Sequence, residues 1–135
     1  MDVKDLKKGF EGEQFIRNLL LKKGHFIGQM DLISLSKDGK VYLYEIKHQE
    51  RFNAPPFDGH GLPPNQMKFR LKIAKLTGMI PVLVIVEPFP DLWGKRNVFI
   101  QRLDVLNDLP DEFKFLSKTG KRIIFHIDAF VHKYL

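Results

Sequence analysis

The chain has 135 residues, 44% apolar and 12% aromatic, enough to bury about two-thirds of its unfolded surface as one domain spanning 1–135 and to exclude intrinsic disorder. Cysteine is absent, which rules out a disulfide scaffold and fits a reducing cytoplasm. The longest apolar run, Met79–Val86, is too short to span a bilayer, and no signal-peptide or membrane segment is expected.

The first helix is expected from Val3 to Lys23, with Gly24 as its stop. Leu6, Phe10, Phe15, Ile16, Leu19 and Leu20 share one face at helical spacing. Glu11 points away from that face, whereas Glu13 aligns with Ile16 and Leu20 and is expected to turn toward the core. "HFIGQMDLISLS" then reads as one bent strand or two short ones, and Asp38-Gly39 in "KDGK" marks a hairpin turn into "VYLYEIKHQ". Arg51 to Asn65 holds four prolines and two glycines in fifteen residues and reads as a long loop. A second helix is expected from about Asn65 to Gly78, with Phe69, Ile73 and Leu76 inward and Lys68, Lys72 and Lys75 as a basic stripe. "IPVLVIVE" has the length and composition of a strand covered on both sides. In the last third, "NVFIQ" and "KRIIFHI" read as strands, "LDVLNDL" as a short helix and "SKTGK" as a turn. The order predicts an α/β fold with a mixed central sheet flanked by helices and a β-rich C-terminal extension.

The charged residues on the strands need a reason. Strand alternation puts Val41, Leu43, Glu45 and Lys47 on one face, so a carboxylate and an ammonium project together at the end of an apolar row. A turn near Asp38-Gly39 pairs residues whose numbers total about 77, which sets Asp31 within a residue of Glu45. Two carboxylates at close range repel, and a divalent cation removes the conflict. Hard oxygen ligands select Mg²⁺ or Mn²⁺, an ion that polarises a phosphoryl group and lowers the pKa of bound water. A lysine beside it holds the attacking water or stabilises charge on the phosphate. The bland account is a cross-strand salt bridge at a sheet end, which must also accommodate Glu13.

The order Glu13, Asp31, Glu45-Ile46-Lys47, Gln66 resembles the PD-(D/E)XK nuclease superfamily over Lys8 to Glu87, about 60% of the chain. "GEQFIRNLLLKKG" is similar to the family's first helix, "MDLISL" to its second strand and "YEIK" to its (D/E)XK strand. "LPPNQMKFRLKIAKLTGMIPVLVIV" is most like the Holliday-junction resolvases of RecU type. Met30 stands where the family has proline, and the segment between Gly24 and Asp31 abbreviates the first core strand. The resemblance implies a restriction-endonuclease-like αβββαβ core and a Mg²⁺- or Mn²⁺-dependent endodeoxyribonuclease. Asp31 and Glu45 would bind the metal, and the Ile46 carbonyl would add a ligand. Lys47 would act on water or the transition state. Glu13 would bind a second metal or orient a hydrated one. Gln66 would contact Lys47, water or the scissile phosphate, its plain alternative being a polar residue opening a helix.

A resolvase-like homodimer acting on branched DNA in recombination or repair is the leading expectation. The alternatives are a flap-, duplex- or restriction-type nuclease, and a basic nucleic-acid-binding protein with a vestigial site. The formal charge of +6 suits a nucleic-acid partner and equally suits solubility alone. Lys68, Lys72 and Lys75 would contact DNA backbone, or form a solvated helix face. Arg51, Phe52, Phe57 and His60 could wedge into an opened duplex or simply pin their loop, the latter expected for Phe52.

Overall fold

A computed structural model describes residues 3–25 and 32–135. Helix α1 runs Val3–Lys22 and ends where Gly24 takes a left-handed backbone. Strands β1 (Leu32–Leu35) and β2 (Val41–His48) form the expected hairpin. Gly39 supplies its positive φ, and Ser36 and Lys40 close it. Leu35 pairs with Val41 and Leu32 with Tyr44, one residue tighter than the expected register.

After β2 the chain forms β3 (Gly59–Leu62), α2 (Pro64–Thr77) and β4 (Ile80–Val86). β4 lies parallel to β2, from Tyr42 opposite Ile80 to His48 opposite Val86. Then follow β5 (Asn97–Arg102), α3 (Leu103–Asn107), β6 (Lys114–Leu116), β7 (Ile123–His126) and β8 (Val131–Tyr134). The result is a mixed five-stranded sheet in the order β1-β2-β4-β5-β8, and a three-stranded antiparallel sheet, β3-β7-β6. The expected α/β class with a mixed sheet and flanking helices holds at this level. Among the described residues no helix is long and apolar enough to cross a membrane.

The core lies between the sheets and under α2 and α3. Leu62, Met67, Leu83, Ile85, Phe99, Leu103, Leu106, Phe125 and Phe130 form one buried cluster. Each large aliphatic or aromatic member contributes about 1.5–3 kcal/mol relative to an exposed position. β4 is buried on the Leu83–Ile85 face and only partly covered at Val84 and Val86, so its second face is less enclosed than its composition implies.

Three expectations change. The loop Arg51–Asn65 contains a strand, because its glycines meet the tail. A side chain at Gly59 or Gly61 would run into the carbonyl oxygens of Phe125 and Ile123 on β7. On α2 the inward residues are Met67 and Arg70, with Leu71 packed on the core, while Leu76 is exposed. The helix is therefore rotated from the face marked by Phe69, Ile73 and Leu76. Finally, Phe15, Ile16, Leu19 and Leu21 of α1 are exposed. Periodicity identified an apolar stripe but not a surface to cover it.

Candidate functional site

Along β2 the odd-numbered residues face the core, and this alternation carries Glu45 under α2 with only 4% of its surface exposed. A carboxylate so enclosed is costly unless paired and hydrogen-bonded. Arg70 supplies the partner from α2, donating to Glu45 Oε2 from Nε at 3.0 Å and from Nη2 at 2.6 Å. Lys47 Nζ stands 3.0 Å from the other oxygen, Oε1. The same ammonium donates to Gln66 Oε1 at 2.6 Å. The Lys47 side chain is 23% exposed, so this cluster opens to solvent at its cation.

Of the expected site residues, Glu45, Lys47 and Gln66 come together. Gln66 sits in the first turn of α2, entered through Pro63 and Pro64, and its side-chain carbonyl is used by Lys47. Arg70 was not anticipated. Its signal is the spacing Met67, Arg70, Leu71, Ala74, an inward helical row with one arginine in it. A buried carboxylate on the facing strand selects that row over the more apolar one.

The other expected residues are placed differently. Asp31 lies outside the described residues. Glu13 is not turned inward: its side chain is 62% exposed and pairs with Arg17 at 3.3 Å, one turn along α1. Ile46 points to the opposite sheet face and is exposed. Lys68, Lys72 and Lys75 stand on the outer side of α2, as the stripe required.

His60 is corrected outright, because it is fully buried on β3 and cannot reach a nucleic acid. Its Nε2 lies 2.7 Å from Glu87 Oε2, and its Nδ1 faces the Gln49 side-chain amide at 3.2 Å. Arg51 donates to both Glu87 oxygens, at 3.0 and 3.1 Å, and its guanidinium lies over the Phe99 ring. Its fork is thus committed to Glu87 rather than presented to phosphate. Phe52 and Phe57 both pack on Phe115, which pins this loop to the domain.

Burial lowers the His60 pKa below its ordinary value, and the Glu87 contact only partly opposes that. Burial pulls the Glu87 carboxyl upward, but hydrogen bonds from Arg51 and His60 outweigh it and set it below the usual range. The bonds to Glu87 raise Arg51 above its ordinary value.

Among the described residues no group of three or more histidines, cysteines or acids is placed to hold a metal ion. Glu45 and the Ile46 backbone supply hard oxygen donors of the kind Mg²⁺ and Mn²⁺ take, usually with water and substrate phosphate completing the set. No family model, curated protein or solved structure matches the chain.

Proposed function

We propose that the protein is a metal-dependent endonuclease that hydrolyses phosphodiester bonds in DNA. Its substrate would be branched, junction-like DNA met in recombination or repair, and its working form a homodimer. The carrying observation is the half-open Lys47 ammonium held between Glu45 and Gln66. The order of helix, antiparallel hairpin, helix and parallel strand supports a restriction-endonuclease-like core. Glu45-Ile46-Lys47 lies on β2, between β1 and β4, and Gln66 opens the following helix.

Glu45, Asp31 and the Ile46 carbonyl would hold Mg²⁺ or Mn²⁺, an ion that polarises a phosphoryl oxygen and acidifies bound water. Arg70 occupies one oxygen of Glu45 and fixes the carboxylate in direction. Gln66 restrains the Lys47 ammonium, limiting the rotamers of a flexible side chain. Lys47 then offers its remaining N–H to the attacking water or to a phosphoryl oxygen on which charge builds.

A second reading is favoured by one observation: both oxygens of Glu45 already face cations. In that reading the cluster is a closed structural ion network, and the chain binds nucleic acid without cutting it. The deciding experiment incubates the protein with four-way junction, flap, linear duplex and single-stranded DNA in Mg²⁺, Mn²⁺, Ca²⁺ or EDTA. Cleavage in Mg²⁺ or Mn²⁺, lost in Lys47→Ala and Asp31→Asn with binding retained, is expected. Binding of every substrate uncut in all four conditions selects the second reading.

A further inference from the structure

The connection between β4 and β5, residues 88–96, presents its apolar side chains outward. Leu92 is 99% and Trp93 85% exposed, and Phe89 is exposed beside them. The presentation is ordered. Asp91 Oδ1 accepts from the backbone N–H of Trp93 at 2.8 Å and of Lys95 at 2.9 Å. Asp91 N donates to Lys95 O and Gly94 N to Asp91 O, with Gly94 at φ +77°. Glu87 N to Asn97 O, and the paired backbones of Arg96 and Leu135, close the base. Pro88 and Pro90 stiffen the approach. The turn is thus held by its backbone and the Asp91 carboxylate, and the side chains of Leu92 and Trp93 take no part in these hydrogen bonds.

Charge around the tip is one-sided. The Asp91 carboxylate is spent inside the turn, and Glu87 is spent on Arg51 and His60. Lys95 lies 5.8 Å from the Tyr134 ring and Arg96 2.9 Å from His48 Nε2. Among the described residues neither cation pairs with a carboxylate. Exposed aromatic surface flanked by unneutralised cations is the chemistry that stacks on bases while drawing in the phosphate backbone.

Position adds to this. The tip emerges from the end of β4 that adjoins Lys47, since Lys47 is in register with Ile85. Eight residue steps lead from Ile85 to Trp93, so the tip stands at most about 34 Å from Lys47's strand position.

We propose that this tip is a base-stacking wedge for unpaired nucleotides, with Trp93 and Leu92 inserting against exposed bases and Lys95 and Arg96 following the phosphates. The inference rests on the nucleic-acid reading above and assigns that reading a specific contact.

Trp93 is the sole tryptophan of the chain, so intrinsic fluorescence reports this residue alone. The protein is titrated with unlabelled single-stranded, four-way-junction and blunt duplex DNA, following tryptophan emission and acrylamide quenching. Binding is measured in parallel by anisotropy of end-labelled DNA. Single-stranded and junction DNA should quench Trp93 and protect it from acrylamide, whereas blunt duplex should leave it accessible. Trp93→Ala should weaken binding to single-stranded and junction DNA about 10-fold and to blunt duplex about twofold or less. Trp93→Phe, which keeps a ring, should regain most of the loss. DNA binding with unchanged Trp93 emission and an unchanged Trp93→Ala affinity overturns the wedge while leaving the nucleic-acid reading intact. No binding to any DNA overturns both. Emission that shifts with protein concentration alone assigns the tip to self-association and overturns the wedge.

Discussion

Glu45 on β2 and Glu87, just past the end of the neighbouring parallel strand β4, are enclosed carboxylates each gripped by one arginine, yet their remaining partners set them apart. Glu45 shares its second oxygen with Lys47, a half-open side chain whose other contact is one glutamine. Glu87 is capped by His60, which is sealed beneath the small sheet, and by Arg51, whose fork takes both its oxygens. The difference lies in how each part-exposed cation is committed. The Arg51 side chain is 35% exposed against 23% for Lys47, but its fork closes on both Glu87 oxygens, whereas Lys47 meets one oxygen of Glu45 and one glutamine and keeps a third N–H. Here Glu87 fastens the end of β4, the start of the 51–58 loop and β3.

The largest effect should come from cutting the grip on Glu45. Arg70→Ala leaves a buried carboxylate with Lys47 alone and should cost about 3–5 kcal/mol in urea unfolding. Arg70→Met combined with Glu45→Gln should recover much of that loss while abolishing cleavage. An undiminished cost in the double variant would mean Arg70 acts through packing alone.

Next comes Glu87→Ala, which strips His60 and Arg51 of their shared acceptor and should cost about 2–3 kcal/mol. On the proposed division of labour, residual folded protein should still cut DNA. Loss of cleavage in samples shown to be fully folded would merge the two clusters into one site.

Acid should find the Glu87 cluster before neutral chemistry fails. His60 is faced by Glu87, Arg51, Gln49 and, at longer range, Arg122, and burial sets its folded pKa below the ordinary imidazole value of 6.5. Between those two values the unfolded chain binds a proton that the folded one does not, so stability is full above about pH 6.5 and falls as pH drops toward the folded value. Glu87 has the same sign over a lower window, losing its contribution as pH falls below 4.5 toward its depressed folded pKa. Urea midpoints at about pH 7.5, 6 and 5 should decline, and His60→Gln should flatten the upper part of that slope.

The smallest stability change should accompany the largest catalytic one. Lys47→Ala removes a part-exposed ion pair, should cost about 1 kcal/mol or less, and should abolish cleavage. A severe loss of stability in this variant would place Lys47 with the fasteners.

Where sequence succeeded, the controlling forces were local. Asp38-Gly39 fixed the hairpin within one residue, and strand alternation placed Glu45 and Lys47 on the buried face. Where it failed, a distant segment decided. α2 carries two overlapping inward-capable rows, and only a carboxylate on β2 selects the one containing Arg70. β3 hides in a Pro- and Gly-rich stretch because the partner that makes it a strand lies in the tail. His60 was read as a surface loop residue for the same reason. Residue types in the 51–65 and 88–96 connections are alike, both holding Phe, Pro and Gly. Phe115 claims the aromatics of the first, and among the described residues no ring packs against Trp93 in the second.

The two glycines of β3 carry a consequence for how the protein is made. Gly59 bridges Phe52 locally, but its strand partner is His126 on β7, so the small sheet around His60 cannot close until β7 has left the ribosome. Until then the nascent chain carries the Glu87 fastener unprotected from water. Nascent chains stalled before Ile123 should therefore remain protease-sensitive at the 51–65 segment, and resistance should arrive in one late step.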